Sequence, residues 1–454
     1  MATRALAAFT AGLRYESLSP ATRLMARQCI LDWLACCIRG AAEPPGTIIR
    51  RVVAAQGGRE EATVFGAAPF RTTALQAALA NGAFSHALDM DDLHNASIIH
   101  LGTVVVPAAL AVAEQTGASG PDLITAVVAG YEVGARVGEA VNPESYFYWH
   151  TTGTAGTFGA AAAAARLLGL DDGQAAHCLG SAGTQAAGLW EFLREGAMSK
   201  TLHAGKAAMN GILAAVLARE GFTGATAILE GEKGFCRAVS PAPRPEKLTA
   251  GLGGDAYKID ENSFKPYAAC KHCHPTINAA QMLLGAPGFD TGRIRSIAVR
   301  TNSVAANLVN NPAPQNAYGS KFSLQYCVAA AFRYGRVGVE EFAPDRADDG
   351  ELRRLMGRVA VEIDPELDEQ YKRNPEKWST LVIVTLDDGE RFQQFVGYPK
   401  GDPQNPVSYA ETEEKFRSLA GGVYSPATVE ALLKTVAGLE DAANVHSLFS
   451  FPGK

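Results

Sequence analysis

A chain of 454 residues, 47% hydrophobic and 19% charged, is long enough to bury a large core and to form two or three domains. Its net charge of −6 and the lack of a long Lys/Arg run argue against nucleic acid, which needs a basic stripe to neutralise phosphates, and favour a small-molecule partner. No charge-free apolar run reaches bilayer length, since the stretch from Leu101 stops at Glu114 and the one from Thr151 ends at Arg166, so no membrane association is expected.

The first residues imitate a signal peptide, with one Arg before a short apolar stretch. Leu6, Phe9 and Leu13 nevertheless recur at helical spacing and no small-residue cleavage site follows, which predicts a helix. Ser19 and Pro20 suit the cap and first position of a helix running through Trp33 to Gly40. Further helices are expected over 76–88, 103–116, 123–140, 158–168, 174–192 and 204–219. Many are rich in Ala and Gly, whose small side chains let helix axes approach closely. Eight cysteines, Cys36 and Cys37 adjacent, lie mostly in apolar surroundings; a reducing cytoplasm is expected rather than a disulfide framework.

Beyond Tyr257, β-branched runs at 294–301, 359–363 and 380–386 read as strands. Asp387-Asp388-Gly389 reads as a hairpin turn into 391–396, and 321–332 as a helix, which makes this region α+β. After a Pro/Gly-rich segment at 398–406, helix resumes with a capping box of Ser408 and Glu411. This last segment can dock back onto the first helices and leave the α+β region as an insertion. No internal repeat is evident.

The chemistry-bearing residues fall in four places. Between residues 86 and 100 lie His86, Asp89, Asp91, Asp92, His94 and His100; carboxylates crowded beside imidazoles mark a proton-handling or metal site, against the plainer reading of a helix end with solvated aspartates. His150-Thr-Thr-Gly153 joins the aromatic run 146–149 to an alanine helix. Backbone N–H groups and hydroxyls at such a start suit an anionic substrate, although a structural His at a close-packed helix start is the alternative. Lys200, His203 and, less directly, Lys206 share a helix face that suits several carboxylates if it points inward and is an ordinary solvated face if it does not. Cys270-Lys-His272-Cys273-His274 has the spacing of a c-type haem site. Haem is set aside because no export signal is convincing and the motif lies deep in the chain; zinc is disfavoured because structural sites draw on two separated ligand pairs, and a His-bearing catalytic loop is preferred.

Taken in order, Asp89-Met-Asp-Asp92 with His100, Gly130-Tyr-Glu132, His150 with its Gly-rich follow-on, Leu168-Gly-Leu170, Lys200 to Gly205, Gly221-Phe-Thr-Gly224, Phe264-Lys265 with Cys270 to Pro275, and Lys321-Phe-Ser323 resemble the MmgE/PrpD family along nearly the whole chain. That family includes 2-methylcitrate dehydratases, cis-aconitate decarboxylases and an iminodisuccinate epimerase. The resemblance implies a mainly α fold: a large all-helical domain formed from both ends of the chain, residues 1–258 and 399–454, with an inserted α+β lid domain at 259–398, and a homodimer. It places Asp89, His100, His150, Lys200 and Lys265 in a polar pocket. Cys270 stands where the decarboxylase branch has a histidine, and Leu93 and His94 depart from an Asp-Asp-Thr-Trp pattern.

The family's chemistry implies breaking a bond next to a carboxylate, without redox, through a carbanion or enolate-like species. The expected catalytic residues are Asp89, His100, His150, Lys200 and His203, with Lys265, Cys270, His272, His274 and His94 binding substrate and neither cofactor nor metal required. Lys200 and Lys265 would hold carboxylates, His100 and His150 would exchange the proton, and Asp89 would orient a histidine. The first reading is a cofactor-independent lyase of a small di- or tricarboxylate, dehydrating a 2-methylcitrate-like hydroxy acid. Epimerisation of an iminodisuccinate-like dicarboxylate and decarboxylation of a cis-aconitate-like acid are the near alternatives. From other classes come a metal-dependent hydrolase using His86, Asp89, Asp91, His94 and His100, and a non-catalytic helical binding protein.

Overall fold

The computed structural model describes residues 1–374, 376–446 and 449. Two compact units emerge, one made of Met1–Asn262 and Ser408–Lys454, the other of Ser263–Val407.

The first unit is built of helices whose starts follow the capping chemistry of the sequence. Ser19 accepts the Thr22 N–H at the head of Pro20–Gly40, and Thr73, Ser119 and Asp171 do the same for Ala74–His86, Gly120–Val141 and Asp172–Gly183. A reciprocal Ser408–Glu411 box opens Tyr409–Gly421. Glycine sets how closely these helices cross. A Cβ on Gly205 would lie 2.1 Å from the Leu79 carbonyl oxygen and one on Gly82 3.0 Å from Gly205 Cα, so Ala74–His86 and Ser199–Arg219 touch backbone to backbone. The same holds between Gly120–Val141 and Ala155–Leu167, where a Cβ on Gly130 would meet the Gly159 oxygen at 2.8 Å and one on Gly159 the Gly130 oxygen at 2.7 Å. The first crossing sets the spacing between His86, at the end of one helix, and Lys200 and His203, near the start of the other.

Two helices differ from expectation. The helix expected over 174–192 stops at Gly183, and a short turn, Phe192–Glu195, follows an irregular stretch. Gly188 in that stretch has φ 153, and a Cβ there would sit 3.2 Å from His203 Nδ1, so any other residue is strained in its backbone and crowds the imidazole. The helix expected from 204 begins at Ser199, which puts Lys200 and His203 in its first two turns.

The loop joining Ala74–His86 to Gly102–Thr116 is held by buried polar contacts. Asp92 Oδ1 accepts the Gly102 N–H at 2.9 Å, while Oδ2 accepts Tyr131 Oη–H at 2.5 Å and Asn262 Nδ2–H at 2.7 Å. Burial and the charge of Asp32 push the Asp92 carboxyl up to about 7 in spite of those bonds. Lys415, on Tyr409–Gly421, donates to Asp32 Oδ1 and to the Met90 carbonyl, each at 2.6 Å. All eight cysteines are buried, and among the described residues no helix is long and apolar enough to cross a membrane.

In the second unit Val359–Ile363, Ile294–Thr301, Thr380–Leu386 and Arg391–Val396 form a sheet in that order, the first pair parallel and the other two antiparallel. Gly389, at φ 91, closes the hairpin between the last two. His274–Leu284 packs on these last two strands and on Leu324–Tyr334.

Candidate active site

The loop after His86 contains two non-glycine residues in the left-handed region, Asp89 at φ 56 and Ile98 at φ 52. A β-branched residue there is strained, and such strain persists only where surrounding contacts dictate it. Those contacts are visible. Thr151 donates its hydroxyl to the Ile98 carbonyl at 2.6 Å, and Thr152 Oγ1 accepts the His100 N–H at 3.2 Å. These two threonines, expected to meet an anionic substrate, thus brace the neighbouring loop.

Held this way, four imidazoles and two carboxylates converge. Asp91 Oδ2 lies 2.8 Å from His86 Nδ1 and 3.1 Å from His100 Nδ1. The His86 ring stands edge-on to His100, with centroids 4.8 Å apart, and stacks on His150 at 5.5 Å and 14°. His150 Nδ1 in turn lies 3.1 Å from His203 Nδ1, so one of these nitrogens donates to the other. Beside them Lys200 Nζ donates to Asp89 Oδ1 at 2.9 Å across 111 residues of sequence. Trp190 and Phe192 wall the group, their ring centroids 4.9 and 6.1 Å from that of His150.

Electrostatics follow from burial. Desolvation lowers His86 to about 4, outweighing the Asp91 charge that raises it, and Lys200 adds to the lowering. His203 falls to about 4 through burial and the charges of Lys206 and Lys200. Burial, then His86 and Lys200, hold His150 well below the ordinary imidazole value. These three rings are therefore neutral near pH 7, each carrying one hydrogen and one bare ring nitrogen. Asp91 goes the other way: burial alone would raise it, yet His86 and His100 hold it well below the usual carboxylate range.

The expected residues Asp89, His100, His150, Lys200 and His203 thus lie together. His86 and Asp91, expected to act only in the hydrolase reading, sit at their centre, and the crowding of this stretch was the signal for them. His94 is not in the group. Its Nδ1 accepts the Ser97 N–H at 3.3 Å and its Nε2 lies 3.4 Å from Glu261. The other expected binding residues belong to the second unit. Lys265 is fully buried, the Cys270 N–H donates to the Lys321 carbonyl, His272 stacks flat on Trp378 at 4.3 Å, and His274 Nε2 lies 3.1 Å from the Ala269 carbonyl oxygen. Burial lowers His272 to about 4.

Among the described residues, two groups of side chains have a donor set that suits a divalent ion, their ligand atoms lying within 4.8 Å of one another: His86, Asp91 and His100, and His94, Glu139 and Glu261. In the second, the Lys258 ammonium already lies 2.9 Å from Glu139 and 3.1 Å from Glu261.

Comparison with known proteins shows the family. Residues 4–248 match the MmgE/PrpD N-terminal domain and residues 267–441 the MmgE/PrpD C-terminal domain. The cis-aconitate decarboxylase-like protein oryM of Aspergillus oryzae is 30% identical over 82% of this chain and 81% of its own. The cis-aconitate decarboxylase of Homo sapiens is 28% identical over 97% and 92%, and the 2-methylcitrate dehydratase of Cupriavidus necator 24% identical over 92% and 90%. With both domain families matched across most of its length, this chain belongs to the MmgE/PrpD family.

Proposed function

We propose that the protein is a cofactor-independent lyase of a small polycarboxylate, working by proton transfer at a carbon next to a carboxylate. The observation that carries this reading is the meeting of three neutral imidazoles, those of His86 and His150 buried and that of His203 half-buried, with the Lys200 ammonium. Lys200 supplies positive charge for a substrate carboxylate and for the electron pair left on carbon when a C–H or C–C bond breaks; its partner Asp89 keeps it in place. A neutral imidazole removes or delivers the proton. A bound polyanion raises the pKa of the rings around it, so the proton donor becomes cationic only once substrate is present.

Decarboxylation of a cis-aconitate-like acid is placed ahead of the dehydration first expected from sequence, because the relatives at 30% and 28% identity carry the decarboxylase name and the dehydratase relative stands at 24%. The test is purified full-length protein incubated separately with cis-aconitate, 2-methylcitrate and iminodisuccinate. Turnover of one of them is expected, with Lys200→Met and His150→Asn each losing on the order of a hundredfold or more in rate while remaining folded. Unchanged turnover in both variants would remove the assignment. The His86, Asp91 and His100 donor set favours one second reading, a metal-dependent hydrolase; stoichiometric zinc, iron or manganese with chelator-sensitive hydrolysis would establish it instead.

A further inference from the structure

We propose that Asp91 is a positioning residue whose carboxylate, shared between two imidazoles, fixes His86 and His100 in the tautomer with hydrogen on Nδ1 and leaves His100 Nε2 as the proton acceptor of the site. The role in turnover rests on the lyase reading; the tautomers do not. Both Nδ1 atoms approach the same oxygen, Oδ2: His86 Nδ1 is hydrogen-bonded to it at 2.8 Å, and His100 Nδ1 lies 3.1 Å away at ion-pair distance, without the alignment of a hydrogen bond. An ionised carboxylate only accepts, so each hydrogen on these contacts must come from a ring, and a neutral ring with hydrogen on Nδ1 carries a bare lone pair on Nε2.

Exposure separates the two imidazoles. The His86 side chain is 0% exposed and the His100 side chain 12%, so His100 is the one that meets a substrate while His86 stands behind it, stacked on His150. His86 gives the carboxylate its second anchor. Asp91 Oδ1 makes no hydrogen bond among the described residues, so the orientation of the group depends on the two imidazoles at Oδ2. One partner would leave the carboxylate free to swivel; two on one oxygen define its plane and hence where the His100 ring points.

The experiment uses full-length protein labelled with 15N-histidine near neutral pH, with signals assigned through His86→Gln and His100→Gln. Long-range proton–nitrogen correlations are expected to show hydrogen on Nδ1 and a bare Nε2 for both rings. Hydrogen on Nε2 of either ring overturns the proposal, whatever the substrate. In the second arm, Asp91→Asn, whose amide donates as well as accepts, is assayed with cis-aconitate and 2-methylcitrate. We expect kcat to fall on the order of a hundredfold with KM within about threefold of wild type, and Asp91→Glu to recover part of the loss. An undiminished kcat, or a loss confined to KM, overturns it. If neither acid is turned over by the wild type, the lyase reading fails and the tautomers alone decide the claim about Asp91.

Discussion

Burial, more than charge pairing, sets the state of the imidazole cluster, and this makes the walls of the site as consequential as its polar groups. Phe192 packs on both His150 and His203, at 6.1 and 5.5 Å. Replacing it with Ala admits water, so the depressed His203 value rises from about 4 towards its ordinary range and His150 follows. The expected outcome is an acid limb of kcat/KM displaced to higher pH with reduced kcat; a pH profile identical to wild type would contradict it. At this scale the sequence was legible in kind but not in pairing. A crowd of His and Asp between residues 86 and 100 announces tuned protonation, yet nothing in the spacing says that Asp89 pairs with Lys200, that Asp91 lies between two imidazoles, or that Gly188 exists to make room for His203. His94 looks equivalent to its neighbours until the turn at Ser97 directs its Nδ1 to a backbone N–H.

Element geometry then depends on a few contacts that admit no substitute. Gly205→Ala would force a Cβ to within 2.1 Å of the Leu79 carbonyl, so the two helices that carry His86 and Lys200 must separate. A loss of about 1–3 kcal/mol in stability is expected, with a larger relative loss of activity, read by denaturant unfolding beside steady-state rates; an unaffected melt and rate would show that the crossing is not tight. Lys415→Met leaves Asp32 buried without its cation and frees the Met90 carbonyl. The expected cost is about 3–5 kcal/mol, which Asp32→Asn combined with Lys415→Met should partly recover. Helix starts at Ser19 and Ser408 and the four strands were readable because caps, turn residues and β-branching act locally. The overlong helix at 174–192 was misread because alanine-rich sequence conceals the end at Gly183, where a Cβ would meet Ile228 at 2.3 Å, a tertiary contact. The close crossings were foreseeable only as a tendency of Ala- and Gly-rich helices.

Across the whole molecule the buried rings couple folding to pH. His86, His203 and His272 lie near 4 in the folded chain against an ordinary 6.5, and burial holds His150 well below that ordinary value too. Between these values the unfolded chain takes up protons that the folded one refuses, so their contribution is complete above about 6.5 and lost as pH falls towards 4. Asp92, raised from 3.8 to about 7, acts oppositely, contributing stability that disappears as pH climbs through that interval. Asp32, Glu114 and Asp260 are raised as well, while the lowered Asp91 and Glu261 side with the four imidazoles; thermal unfolding should show a lower Tm at pH 5 than at pH 7.5, and an equal or higher Tm at pH 5 would contradict this balance. The mainly α character was readable from composition and periodicity, and the family from motifs spread over the chain, whereas substrate choice depends on pocket walls that no motif encodes. The decisive measurement concerns proton transfer itself: cis-aconitate and 2-methylcitrate incubated with the full chain in heavy water and followed by proton NMR. Solvent deuterium should enter product or recovered substrate at a carbon next to a carboxylate, at a rate on the order of a hundredfold lower with His150→Asn. Turnover that leaves such carbons free of deuterium, or incorporation undiminished in the variant, would contradict a mechanism run by this cluster.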